Sequence, residues 1–160
     1  MSAARRSETR ASQKGHAMLE LAIVAGVMVS FLVGTFQFGY SFYVYNQLVS
    51  AVGNGARYAA QRTYRSASPD DLERGKAAIR NMVVYGDAQP ATGAMPIVSG
   101  LTPEHVKVDW VAEDGKAPDA VDVSIHDFTA ASVFKPITFD GKPFAEFPYV
   151  GRYAPAEREP

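Results

Sequence analysis

The stretch KGHAMLELAIVAGVMVSFLVGTFQFGYSFYVY, running from Lys14 to Tyr45, decides how this chain is built. Its portion from Ala17 to Phe38 is densely apolar, and no Asp, Glu, Lys or Arg occurs between Leu21 and Ala56. At about 1.5 Å rise per residue, Ala17 to Phe38 extends roughly 33 Å as a helix, enough to cross the hydrocarbon core of a bilayer. The flanks give an orientation. Arg5, Arg6, Arg10 and Lys14 precede the apolar run with only Glu8 against them, so the positive-inside rule keeps the N-terminus in the cytoplasm. On the other side Phe36, Phe38, Tyr40, Phe42, Tyr43 and Tyr45 crowd together, where an interfacial aromatic belt is expected. A cleaved secretory signal shares the basic start, but its apolar core spans only about 7–15 residues and ends at a small-residue cleavage site. Here the apolar character continues into the aromatic cluster, and one permanent membrane helix is the expectation.

Composition removes several function classes. The chain has 160 residues, 47% of them apolar, which leaves room for one modest domain beside the membrane helix. A net charge of -1, with no basic run, gives no reason to expect a nucleic-acid partner. Cysteine is absent, so disulfides, thiolate zinc sites and a cysteine nucleophile are excluded together. The histidines are His16, His105 and His126, and no zincin, serine-hydrolase or phosphate-loop motif accompanies them. His105 opens one strand-like segment and His126 follows the next, a placement that suggests opposite ends of a ladder or solvent-facing turns. Asp109, Asp114, Asp119 and Asp122 match no EF-hand spacing. The expectation is a protein that is no enzyme, with no catalytic residue, no metal site and no cofactor.

Glu20 stands out because it is a carboxylate inside the start of the apolar run. A charge at mid-membrane costs about 2.5–3.5 kcal/mol on insertion scales, while each Leu, Ile, Val or Phe returns about 0.3–0.6. The apolar residues between Leu19 and Phe36 offset that cost, so the helix still inserts, and a carboxylate retained there calls for a cationic partner or a place where it snorkels to the cytoplasmic interface. Ala22, Gly26, Ser30 and Gly34 recur every fourth residue, forming a small-residue stripe on which another helix can pack closely.

Read together, Lys14-Gly15-His16-Ala17-Met18-Leu19-Glu20 and the apolar run after it resemble a type IV prepilin signal. Within that group, Gly34-Thr35-Phe36-Gln37-Phe38-Gly39-Tyr40 and Gly55-Ala56-Arg57-Tyr58-Ala59-Ala60 resemble the TadE-like family, minor pseudopilins of the Tad system that builds adhesive Flp pili. The resemblance covers about residues 13 to 62, with a loose echo at Val150-Gly151-Arg152-Tyr153. It implies cutting by a prepilin peptidase between Gly15 and His16, which makes Glu20 the fifth residue of the mature chain. It also implies that Glu20 serves in peptidase recognition and assembly, pairing with the new α-amine of His16 or of a neighbouring subunit. Family members tend to carry an acidic residue where this chain has Gln37, and many pilins an aromatic one where it has Leu21. The implied partners are membrane lipid, the prepilin peptidase, other pilins or pseudopilins and the Tad assembly platform. The implied location is the inner membrane, with the C-terminal domain in the periplasm or incorporated into the pilus.

The remaining sequence predicts the domain. Leu48, Val49, Val52, Ala56, Ala59 and Ala60 keep helical spacing, so the first helix should continue past the membrane, with a kink at Gly53 and Gly55. Ser68, Pro69, Asp70, Asp71 and Glu73 form a helix start. That second helix should run to Tyr85, stop at Gly86, and bury Leu72, Ile79, Met82 and Val83. His105 to Val111 and Ala120 to Ile125 alternate as a hairpin around a turn at Glu113 to Pro118. Phe128 to Pro148, interrupted by Pro136, Gly141 and Pro143, reads as a short helix and loop, and Tyr149 to Tyr153 as an edge strand. The fold class is therefore α+β and pilin-like: a long N-terminal helix, a second helix and a small antiparallel sheet. The expected divisions are 1–15 as a cleaved basic leader, 16–45 as the transmembrane helix and 46–160 as the extracytoplasmic domain. The runner-up reading is an unprocessed, signal-anchored periplasmic binding domain of the cell envelope.

Overall fold

A computed structural model describes residues 3–62, 64–65, 69–111, 118–132 and 135–154. The fold is α+β. Helix α1 runs from Ala3 to Ala60 without interruption, passing through Gly53 and Gly55 where a kink was expected. The chain divides into two compact units, residues 1–40 and 41–160. The first is helix alone, and the part of α1 from Gly15 onward is long and apolar enough to cross a membrane. Phe31 and Leu32 are 79% and 71% exposed, which in water would be costly for side chains of this size and suits a lipid surround.

The second unit is built on the last part of α1. Val44, Leu48, Ala51, Val52, Ala56, Ala59 and Ala60 are buried, following the three- and four-residue steps of one helix face. Helix α2, Pro69–Tyr85, places Ile79, Val83 and Val84 in the same core. Leu72 and Met82 are only half-buried. Its end is as the sequence suggests: Gly86 adopts φ 73°, and its N–H donates to the Met82 carbonyl at 3.0 Å, the left-handed stop that glycine tolerates. The proposed cap at Ser68 and the turn from Glu113 lie outside the described residues, apart from Pro118.

After a 3-10 turn at Pro103–His105, strands β2 (Val106–Val111) and β3 (Ala120–Ile125) form the expected antiparallel pair, Val106 opposite Ile125 and Val111 opposite Ala120. The segment read as helix and loop is instead strand. It contains β4 (Phe128–Ala130), β5 (Ile137–Phe139) and β6 (Phe144–Pro148). β4 pairs with β5, and β6 joins β3 to complete a sheet ordered β2-β3-β6. Val106, Val108, Val121, Val123 and Ile125 face the core, while Lys107, Asp109, Asp122, Ser124, Phe144 and Glu146 take the opposite face by the two-residue period of a strand. The expected edge strand at 149–153 is shorter: β7, Tyr153–Ala154, pairs in parallel with β1, Tyr64–Arg65.

The chain just before β7 holds the end of α1. The Val150 N–H donates to the Ala60 carbonyl at 3.0 Å, and the Tyr149 hydroxyl lies 2.8 Å from the carbonyls of both Arg62 and Arg152. These partners satisfy carbonyls that a helix terminus otherwise leaves open. A β-carbon at Gly151 would fall on the Arg62 carbonyl oxygen and the Tyr149 ring, so the approach requires glycine.

Candidate functional site

Gly15, His16 and Glu20 lie within α1 and are exposed. Residues 16 and 20 are one helical turn apart, which sets the Glu20 carboxylate near the position where cutting after Gly15 would leave an α-amine. No ion pair to Glu20 forms among the described residues. Ala22, Gly26 and Ser30 are exposed and Gly34 partly so, and β-carbons built at Gly26 or Gly34 meet nothing within 4 Å. The Ser30 hydroxyl donates to its own helix at the Gly26 carbonyl, 2.9 Å away, so a polar residue enters the apolar surface without an orphaned donor.

The second part of the motif is packing made visible. A β-carbon at Gly55 would run into the Val83 side chain on α2, so this glycine permits the close crossing of the two helices. Ala56 beside it is wholly buried. Arg57 places its guanidinium 5.3 Å from the centroid of the Phe147 ring on β6, a cation–π contact that ties helix to sheet. Tyr58 accepts a hydrogen bond at 2.8 Å from Arg62, whose guanidinium also stacks over its ring. Gly55, Ala56 and Arg57 therefore fix the end of α1 to its domain, while Tyr58 braces the helix end through Arg62.

Residues 15–57 match the family model for TadE-like protein. The TadE-like segment begins at the Gly15 junction, covers the exposed apolar helix and ends on Arg57. It thus spans both the exposed apolar helix and the three residues, Gly55, Ala56 and Arg57, that lock α1 into its domain. No curated protein and no solved structure matches the chain. The matched residues coincide with the helix that is long and apolar enough to cross a membrane.

One cluster beyond the TadE-like segment was invisible in the sequence. His105 and His126 are not at opposite ends of the hairpin. An antiparallel pair brings the start of one strand beside the end of the next, and the His126 N–H donates to the His105 carbonyl at 2.8 Å. The His105 ring packs edge-on against Phe128. The His126 ring turns to the outer sheet face, where Nε2 is 3.2 Å from Ser124 Oγ and Nδ1 is 3.0 Å from Asp140 Oδ1. Ser124 and His126, two apart at a strand end, share a face. Asp140 arrives from β5 through a turn in which Gly141 takes φ 68°, and no linear spacing announces it. No group of three or more His, Cys, Asp or Glu side chains suited to a metal ion forms among the described residues.

Proposed function

We propose that the chain is a minor pseudopilin that acts in assembly of Tad-type adhesive pili, anchored in the inner membrane by α1 and processed by a prepilin peptidase. The observation that carries this reading is the coincidence of the family match with the exposed apolar helix, starting at Gly15 and holding Glu20 at the fifth position after it. An unburied apolar helix joined to a compact domain is the form a subunit needs if lipid holds it before assembly and other helices hold it afterwards. Within lipid no hydrophobic drive favours helix association, so close contact at small residues and polar pairing must supply it. The Ala22–Gly34 stripe and Glu20 supply those two elements. The partners are then other pilins or pseudopilins, the peptidase and the Tad assembly platform.

The test is the first residue of the mature chain. Mass spectrometry of protein isolated from membranes of cells with active prepilin peptidase should find His16 at the N-terminus. Recovery of intact Met1 chains alone would overturn the assignment and favour an unprocessed signal anchor. Orientation is tested separately. A reporter that works only in the periplasm, fused after Tyr153, should be active; cytoplasmic activity at the same fusion would overturn the topology.

A further inference from the structure

The outer face of the β2-β3-β6 sheet carries a group that the pilus reading does not use. Ser124 Oγ, the His126 ring and Asp140 form a continuous hydrogen-bonded chain of 3.2 Å and 3.0 Å. A carboxylate only accepts, so the His126 nitrogen facing Asp140 carries the hydrogen and Nε2 is left as the acceptor for the Ser124 hydroxyl. The register sets two more side chains beside the serine on that face, Lys107 across from it on β2 and Phe144 across from it on β6. Directly opposite residues hold their β-carbons about 4.5–5.5 Å apart. The Lys107 ammonium lies 2.9 Å from Asp109 Oδ2, and the hydrogen bond and charge of that carboxylate raise its pKa above the ordinary lysine value, so it stays cationic. Phe144, on the same face, is 58% exposed, while Ser124 keeps 8% of its surface open to solvent.

We propose that Ser124 is an acyl-accepting nucleophile, with His126 as its general base, Asp140 as the positioning residue that fixes the imidazole, and Lys107 as the cation facing the developing oxyanion. The substrate class is a small carboxylic ester whose apolar part rests on Phe144. Ser124 Oγ bonds to the carbonyl carbon while its proton passes to His126 Nε2, and the carbonyl electron pair moves onto the oxygen facing Lys107. Collapse of that adduct breaks the ester C–O bond. The leaving alkoxide takes the proton back from Nε2, giving free alcohol and acyl-Ser124. Water, deprotonated by the same nitrogen, then releases the carboxylic acid and restores the serine. The order of donors and acceptors is that of a serine, histidine and aspartate relay, which is recognised by geometry and not by position in a sequence.

The test uses the full chain in detergent micelles and an alkyl fluorophosphonate, which reacts with an activated serine by losing fluoride while the serine proton goes to the base. Peptide mapping should place one phosphonyl group on Ser124. His126→Gln should slow labelling by about 100-fold or more, within the range for a positioned general base. Asp140→Asn should slow it as well, because an amide can donate to Nδ1 and move the ring hydrogen to Nε2, away from the acceptor role. Thr129→Ala, which removes a hydroxyl bonded to Thr138, should leave the rate unchanged. Absence of label on Ser124 in folded wild-type protein overturns the proposal, and so does an equal rate in His126→Gln. Should a variant fail to fold, the wild-type labelling decides alone.

Discussion

Glu20→Ala is expected to abolish surface fibres or reduce them sharply while leaving the amount of membrane-inserted protein unchanged. Removing a carboxylate from the apolar helix relieves a cost of about 2.5–3.5 kcal/mol at mid-membrane, so insertion becomes easier. What is lost is a pairing partner. Glu20 is exposed and finds no ion pair among the described residues of its own chain, and under the proposed function its partner comes from processing or from a neighbour. The new α-amine one turn away is the nearest cation such processing would create, and in a medium without water an unpaired carboxylate is expensive enough to decide how a subunit docks. The comparison is with Gln61→Ala, a change at an exposed position beyond the end of α1, scoring protein level, leader removal and fibre number in the same cells. Normal fibres from processed Glu20→Ala would reduce Glu20 to a tolerated residue near the interface and leave assembly to the small-residue stripe.

The second large effect separates two glycines that stand two residues apart. Gly55→Ala should destabilise the domain by about 1–3 kcal/mol, the usual cost of forcing an extra carbon into a filled core. Its β-carbon would collide with Val83, a side chain with no exposure of its own and the Ile79 backbone close behind it. Gly53→Ala should do the opposite. Its β-carbon meets nothing within 4 Å, and replacing glycine by alanine inside a helix gains about 1 kcal/mol. Thermal unfolding of the two variants, followed by near-ultraviolet circular dichroism in one detergent, makes the comparison. Equal shifts of the same sign would show that the α1–α2 crossing is looser than its geometry indicates. Fibre number for Gly53→Ala adds a second reading, since a groove lined by Val49, Gly53, Arg57 and Phe144 lies on that side of the helix.

The contrast between those glycines also marks where sequence reasoning succeeds and where it stops. Helical spacing was enough to carry α1 past the membrane to Ala60, and capping residues with a terminal glycine were enough for α2. Both are local signals, each contained within a few turns of chain. Alternation identified β2 and β3 for the same reason. The strands between Phe128 and Pro148 failed that test because β4 and β5 have three residues each, too few to show a period, and prolines interrupt the segment. They are strands because partners elsewhere complete them: β6 exists through its ladder with β3. Gly55 was singled out by resemblance, yet the reason for a glycine there is Val83, which no reading of residues 55 to 58 contains. Asp140 was missed on similar grounds, since its place beside His126 depends on the turn at Gly141.

The hold on the end of α1 sets an order of events in time. Tyr149 reaches Arg62 across 87 residues of chain, and Val150 reaches Ala60 across a similar span. At synthesis rates of about 5–20 residues per second, the helix end waits on the order of 5–20 s for the segment that secures it. During that interval the anchor is already complete while the domain is still open at its junction with α1. A chain that stalls or is clipped before Tyr149 would keep a full membrane helix without a finished domain. The segment at Tyr149 and Val150 therefore secures the end of α1 only after the whole of the intervening domain has been made.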